Sequence, residues 1–349
     1  VAAFENVLGR GLLVPPHREV LGAYGAAICV RQKMKAEGKD RSGFRGLHSA
    51  IHDRMDFKEK VCRADPNCHN RCKLKIYQFD HRRSIWGGEC GRHELARTRG
   101  KCKEDFFKRR RMLWETHMAG VYDELEDQPL MEIEGRPTIG MQRALYGHHT
   151  AVLWAHFFDR LGYRLVLTPP TSARISTRGV EKAVEGVCYP VKVSYGHIEQ
   201  LAGKTRYLFL PSLIKMQTPK PSETGFYCPM VQSNSYMARM AFGLQRASIL
   251  NPVINLKYDP ATLAVEIHRQ MGAELGLSKK LIKKSLYHAI ERQRQFVADM
   301  HQQGGKILRK LDSAEPLIVV TGRPYNLYDD RLNLRLGQNL ARLGIAALP

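Results

Sequence analysis

Gly147-His148-His149-Thr150-Ala151-Val152-Leu153-Trp154-Ala155-His156-Phe157-Phe158-Asp159-Arg160-Leu161-Gly162-Tyr163-Arg164-Leu165-Val166-Leu167 decides the fold class. The stretch reads as a helix to about Leu161, then Gly162 where a left-handed C′ residue is expected, then a short apolar strand, Arg164–Leu167. The alternation continues with helices at Thr177–Gly186 and Val191–Ala202 and a strand at Tyr207–Leu210. Helices follow near Ser233–Gly243, Pro260–Met271 and Ser278–His301, then a strand Leu317–Thr321 and a helix Arg331–Leu343 closed by Gly344. Such alternation predicts an α/β domain, a parallel sheet with helices on both faces, whose ligands bind beyond the carboxyl ends of the strands.

Upstream of Pro137 the character differs. Lys73-Leu74-Lys75-Ile76-Tyr77-Gln78-Phe79 alternates with period two, as a half-buried strand does, and Gly87-Gly88 supplies a tight turn. Lys103–His117 reads as a basic amphipathic helix closed near Gly120. Nearer the start, Leu12–Gln32 turns from an extended Leu-Leu-Val-Pro-Pro into a small apolar helix. There Gly22, Gly25 and Ala26 would allow close approach of a backbone or a ligand. Lys33–Gly46 reads as a linker. The expected organisation is therefore 1–46, 47–135 and 136–349. The chain opens on Val1 and stops at Pro349, just after an apolar run that reads as a strand begun, so it is expected to be an excised piece, incomplete at its C-terminal end.

With 43% apolar and 26% charged residues over 349 positions, the chain has the composition of a soluble globular protein of two or three units. No run approaches the ~18–20 apolar residues of a membrane span, and no basic region with an apolar stretch behind it opens the chain, so a cytoplasmic location is expected. The net charge of +21 raises nucleic acid as a partner, with basic residues densest in Arg92–Lys103 and Lys108-Arg109-Arg110-Arg111. No RNA-module signature accompanies them, and Phe106, Phe107 and Trp114 suit a packing face better than a base-stacking platform. A solvated basic face is the plainer reading. An anionic partner, including a phosphate-bearing cofactor such as coenzyme A, is the other.

Eight cysteines in a chain without a secretion signal point to metal or redox use rather than disulfides. Four of them, Cys62, Cys68, Cys72 and Cys90, lie on a knuckle and the hairpin that follows it. Four thiolates arriving at short spacing suit either tetrahedral zinc or a cubane iron–sulfur cluster. The spacing is not that of a zinc ribbon, and His69 is read as a neighbour rather than a ligand. Cys29 and Cys102 are read as bystanders.

The second constellation is Cys188-Tyr189-Pro190-Val191-Lys192 with Cys228-Pro229-Met230-Val231-Gln232. Each cysteine stands at a loop-to-helix entry, with proline near the first helical position, where a helix N-terminus favours thiolate. Two cysteines do not complete a cubane, and an incompletely ligated iron is the arrangement that can meet a substrate. Lys192 and His197 are candidate polar groups beside this site. Thr321-Gly322-Arg323-Pro324-Tyr325-Asn326 follows a strand, so Arg323 is a candidate for holding an anion, although phosphate-loop spacing is absent.

With these residues the chain resembles the large fused activases of the 2-hydroxyacyl-CoA dehydratase system. Leu13-Val14-Pro15-Pro16-His17-Arg18-Glu19-Val20-Leu21-Gly22-Ala23-Tyr24-Gly25-Ala26-Ala27 resembles the last strand and helix of an actin/Hsp70-like ATPase domain. The Cys68-His69-Asn70-Arg71-Cys72 knuckle with Trp86-Gly87-Gly88-Glu89-Cys90 resembles the connector of these fusions. From Ile139-Gly140-Met141-Gln142-Arg143-Ala144-Leu145 onward the chain resembles the domain related to the dehydratase subunit, with Gln142 standing where proline is usual. The resemblance implies low-potential electron transfer, a 4Fe-4S cluster on Cys188 and Cys228, a second metal at Cys62, Cys68, Cys72 and Cys90, a dehydratase or other redox partner, a CoA thioester and an oligomer. ATP would be bound only by absent flanking domains, so the ATP-dependent activity belongs to a longer chain and not to this piece alone. The reading from another class is a zinc module whose basic face binds nucleic acid or an acidic partner without catalysis.

Overall fold

The computed structural model describes residues 2–44, 46–52, 56–65, 68, 70–79, 82–93, 103–184, 186–218, 220, 222, 224–244, 248–310 and 317–349. His69, Cys102 and residues 94–101 of the basic stretch lie outside them. The chain divides into two compact units, Val1–Asp56 and Phe57–Pro349. The first holds helices α1 (Ala2–Leu8), α2 (Leu21–Ala36) and α3 (Leu47–His52). Helix α2 continues through Lys33–Ala36, read above as linker, and buries none of its residues. Nothing lies within 4 Å of a Cβ built on Gly22 or Gly25, so the small face touches no backbone among the described residues.

The second unit opens with an antiparallel three-stranded sheet, β1 (Phe57–Val61), β2 (Lys73–Phe79) and β3 (Arg82–Trp86). Strand β2 takes the central place, as its alternation demands. Helix α4 (Phe106–Met118) follows, capped by Asp105, whose carboxylate accepts from the backbone N–H of Phe107 (3.1 Å) and Lys108 (3.2 Å). Strands β4 (Tyr122–Glu124), β5 (Glu132–Ile133) and β6 (Arg136–Met141) lead to α5 (Gly147–Arg160), β7 (Arg164–Leu167), α6 (Ala173–Lys182), α7 (Tyr189–Leu201) and β8 (Tyr207–Phe209). After β9 (Ser212–Lys215) come α8 (Pro229–Gln232), α9 (Asn234–Phe242), β10 (Ile249–Leu250), β11 (Val253–Asn255), α10 (Pro260–Ile267) and α11 (Lys279–Lys310). The chain ends with β12 (Leu317–Val319), α12 (Pro324–Tyr328), α13 (Leu336–Arg342) and β13 (Ala346–Leu348).

The main sheet runs β10-β8-β6-β7-β4, parallel throughout, with β5 added antiparallel on β6. From β6 the chain moves one way to β7 through α5 and then back past β6 to β8 through α6 and α7. Right-handed connections therefore put α5 and α7 on opposite faces. The strand order reverses at β6, and the carboxyl end of β6 is the switch point where such folds bind ligands. The β8–β10 ladder resumes as β9–β11 through Leu210 N–H to Leu250 O (2.9 Å) and Ser212 N–H to Pro252 O (2.9 Å). The terminal strand expected after Gly344 forms as β13 and pairs in parallel with β12.

The core is built around residues 147–167. Trp154, Phe157 and Phe158 on α5 are fully buried, and Phe209 of β8 packs edge-on to Trp154 (4.8 Å) and Phe158 (5.0 Å). On the other face α6 and α7 meet backbone to backbone. A Cβ on Gly196 would lie 1.9 Å from the Ile175 carbonyl oxygen, and one on Gly179 2.1 Å from that of Lys192. Two boundaries depart from the sequence expectation. Helix α6 starts at Ala173, because Ser172 Oγ accepts from Ile175 N–H (3.2 Å) and caps it a turn early. Residues 331–335 are not helical: Asp329 Oδ1 takes the N–H of Arg331 (2.9 Å) and Leu332 (3.1 Å) and caps a turn, but Leu334 and Arg335, with φ of 53° and 57°, break it off.

Candidate functional site

The knuckle is closed at its base by Cys62 N–H donating to Cys72 O (2.8 Å) and is turned within by Cys68 N–H to Asp65 O (3.1 Å). Cys90 is returned by the turn after β3. Gly87 has φ of 92°, and a Cβ there would lie 2.4 Å from Lys73 O, so only glycine lets the turn fold against the start of β2. The four thiols are free and half-buried. Burial pushes the Cys72 thiol up, and the charges of Cys68, Cys62 and Cys90 push it further, so the other three sulfurs stand within electrostatic reach of Cys72. Cys62 Sγ lies 3.5 Å from His93 Nε2. Sequence reasoning passed over His93, although its place three residues after Cys90 was a readable signal. Among the described residues no three such groups stand close enough to share one ion. The donor set, soft reduced thiols with an imidazole beside them, suits zinc or iron–sulfur chemistry. The sulfurs are gathered here without having converged.

Three arginines surround this knuckle. Arg335 Nη1 donates to Asp65 Oδ2 (2.8 Å), Arg92 Nη2 stands 3.8 Å from the same oxygen, and Arg331 pairs with Glu89. Asn339 Nδ2 donates to Cys90 O (2.7 Å). A cavity of about 500 Å³, lined by Cys68, Arg110, Asp329, Arg331 and Arg335, lies between the knuckle and the α/β domain. The basic run of α4 is largely spent internally. Arg109 pairs with Glu104, and Arg111 pairs with Asp330 (2.6 Å). Arg110 lies over the Tyr328 ring (3.5 Å), donates to His148 O (2.8 Å), and has its pKa pulled down to about 10 by burial.

Cys188 and Cys228 take the same local structure. Each is the N-cap of a helix, α7 and α8, with Pro190 and Pro229 in the first turn. The Cys188 carbonyl accepts from Val191 and Lys192, and the Cys228 carbonyl from Val231 and Gln232. Cys188 is exposed and Cys228 half-buried. Burial raises the Cys228 thiol, but the Met230 N–H, the Arg323 guanidinium and the Val231 N–H outweigh it and hold the thiol below its ordinary range. Arg323 Nη1 also donates to the Tyr325 hydroxyl (2.9 Å). The Tyr325 phenol is raised by burial, lowered by Arg323, and raised by both Cys188 and Cys228, so both cysteines stand within electrostatic reach of this tyrosine. Tyr325 packs edge-on to Tyr146 (5.7 Å) from the loop after β6, and Tyr146 edge-on to Tyr227 (4.3 Å). The Cys-Pro pair thus stands at the switch point. A cavity of about 550 Å³ opens beside it, lined by Cys228, Arg323, Tyr146, Tyr227, Leu263 and Ile290.

The match of sequence to the family described as CoA enzyme activase uncharacterised domain (DUF2229) covers residues 138–349. The chain belongs to that family. Neither the comparison with curated proteins nor that with solved structures gives a match. The activase-family span begins in β6 and takes in the whole Cys-Pro site, while the knuckle lies before it. Among the described residues no helix is long and apolar enough to cross a membrane.

The remaining candidates separate. Lys192 is half-buried in the first turn of α7, and the cation that reaches Cys228 is Arg323. His197 is fully buried with both ring nitrogens engaged: Nδ1 with Thr168 Oγ1 (2.6 Å) and Nε2 with Thr171 Oγ1 (2.9 Å). The hydrogen bonds assign its tautomer. Arg143 N–H donates to Thr168 Oγ1 (2.9 Å), leaving that hydroxyl to donate to Nδ1, while the Thr171 hydroxyl donates to Asp329 Oδ2 and accepts from Nε2–H. Burial drives the imidazole pKa down to about 3. His197 is thus a neutral strut between the end of β7 and Asp329, with no proton to offer an anion.

Proposed function

We propose that this chain is an electron-carrying component of a CoA-enzyme activase, with an iron–sulfur cluster on Cys188 and Cys228 and a second metal, iron–sulfur or zinc, on Cys62, Cys68, Cys72 and Cys90. The observation that carries the reading is a pair of helix-capping cysteines at the switch point of an activase-family domain, both within electrostatic reach of Tyr325 and one of them, Cys228, held by Arg323. A bound cluster would supply one-electron transfer at low potential. Cys228, held toward thiolate, is the better ligand of the pair. Arg323 places a fixed positive charge beside it, which favours the thiolate that a metal needs. Tyr146, Tyr227 and Tyr325 wall the inner side against water, and exposed Cys188 leaves the outer side open to a partner. That partner would be a dehydratase-type enzyme acting on a CoA thioester, with ATP hydrolysed by a domain outside this chain, in an oligomeric cytoplasmic complex.

Anaerobic purification from cells competent in cluster assembly tests this directly. The expected product is brown, contains iron and acid-labile sulfide, and gives an EPR signal on reduction that Cys228→Ala removes. A colourless, iron-free protein would sink the assignment.

A further inference from the structure

Arg323–Asn339 is a single short stretch that touches both cysteine sites. At its start, Arg323 reaches Cys228 and the Tyr325 hydroxyl. In its middle, Asp329 is tied through Thr171 to His197, and Oδ1 of Asp329 takes the N–H groups of Arg331 and Leu332, which aims Arg331. At its end, Arg331 pairs with Glu89 beside Cys90 and donates from Nε to Ser176 Oγ (2.9 Å), while Arg335 reaches Asp65 and Asn339 the Cys90 carbonyl. The backbone is strained to achieve this. Leu334 and Arg335, neither of them glycine, are consecutive residues in the left-handed region, and Asn333 Oδ1 holds the Arg335 N–H at 2.9 Å. Such strain persists only where surrounding contacts over-determine it, and it clusters at functional sites.

We propose that Arg323–Asn339 couples the two cysteine sites, with Arg331 and Arg335 as positioning residues that compensate the thiolate charge of a metal-loaded knuckle. The proposal rests on the metal reading above. Four thiolates around a core of charge 2+ leave about two negative charges, and the α/β domain supplies two guanidiniums to the acids that flank them. Loading therefore tightens the grip of Arg331 and Arg335, and this tightens a stretch whose other end sets the surroundings of Cys228. An empty knuckle releases that end.

The test uses the full chain with zinc(II) as the metal probe. It reads zinc affinity by competition with a chromophoric chelator and amide hydrogen exchange across 323–339, with Cys68→Ser as the control that assigns the effect to the knuckle. Loading is expected to slow exchange in this stretch about tenfold, and Cys68→Ser to abolish the slowing. Arg331→Gln with Arg335→Gln should weaken zinc binding by ~10–100-fold, as lost partners around a metal ligand do, and erase the change in exchange. Arg331→Lys with Arg335→Lys, which keeps the charge, should restore most of both. Zinc loading that leaves exchange in 323–339 unaltered, or a glutamine pair that binds zinc as tightly as the parent, overturns the coupling while sparing the metal reading. A knuckle that takes up neither zinc nor iron overturns both.

Discussion

Acidification should destabilise the α/β domain through His197 at a pH where its carboxylates are still mostly charged. In the fold this imidazole is neutral, with Nδ1 accepting from Thr168 and Nε2–H donating to Thr171, and its pKa is held at about 3 against an ordinary 6.5. Protonation would put a second N–H against a hydroxyl already donating to it, inside a fully buried site. The folded value is depressed, so the unfolded chain binds the proton first. The contribution is therefore complete above pH 6.5 and is lost steadily as pH falls from there toward 3. Each pH unit in that window removes about 1.4 kcal/mol. At pH 4 the loss reaches roughly 3 kcal/mol, a large part of the ~5–15 kcal/mol that holds a typical domain together. His149, His156 and His288 are also pushed down by burial and act in the same direction, so the informative quantity is a difference. Urea unfolding, followed by tryptophan fluorescence from buried Trp114 and Trp154, should be measured from pH 7 to 4 on the parent and on His197→Gln, which keeps polar contacts but cannot titrate. The parent should lose stability faster on acidification, the two curves closing by roughly 3 kcal/mol. Parallel curves would refute the neutral-strut assignment.

Gly196→Ala should destabilise the domain by ~2–4 kcal/mol, because α7 must retreat from the Ile175 carbonyl and no side chain can yield instead. Thermal unfolding reads the loss, and an unchanged midpoint would mean that α6 and α7 do not touch. Asp105→Ala should cost about 1 kcal/mol by leaving the first turn of α4 uncapped. Asp105→Asn should recover most of it in the same urea titration.

What the sequence disclosed followed from local physics. The α5–β7 stretch was readable because a long periodic run, a terminal glycine and an apolar strand all agree. The Cys-Pro elements were readable because a proline in the first turn marks a helix start wherever the rest of the chain goes. Strand β6, the centre of the sheet, was not read as a strand, since Pro137 and Gly140 disguise it, and β4 is only three residues long. Residues 331–335 have helical composition, but the turn that Asp329 caps is broken off where Leu334 and Arg335 take positive φ. His197 was read as a polar group beside the site, yet Val193 and Leu201, four residues to either side on the same helix, are core residues and mark its face as buried. No local signal could have joined Arg335 to Asp65. They are 270 positions apart and meet only because the last elements of the domain pack back onto the knuckle.

That separation has a temporal side. A ribosome adding 5–20 residues per second needs roughly 14–54 s to travel from Asp65 to Arg335. For most of that interval, once Cys90 has been made, the nascent chain carries all four knuckle cysteines without the two guanidiniums that belong beside them. Metal insertion during synthesis would thus meet a more negative, more open knuckle than the finished protein presents. Residues translated much later would act as a seal on a site made long before them.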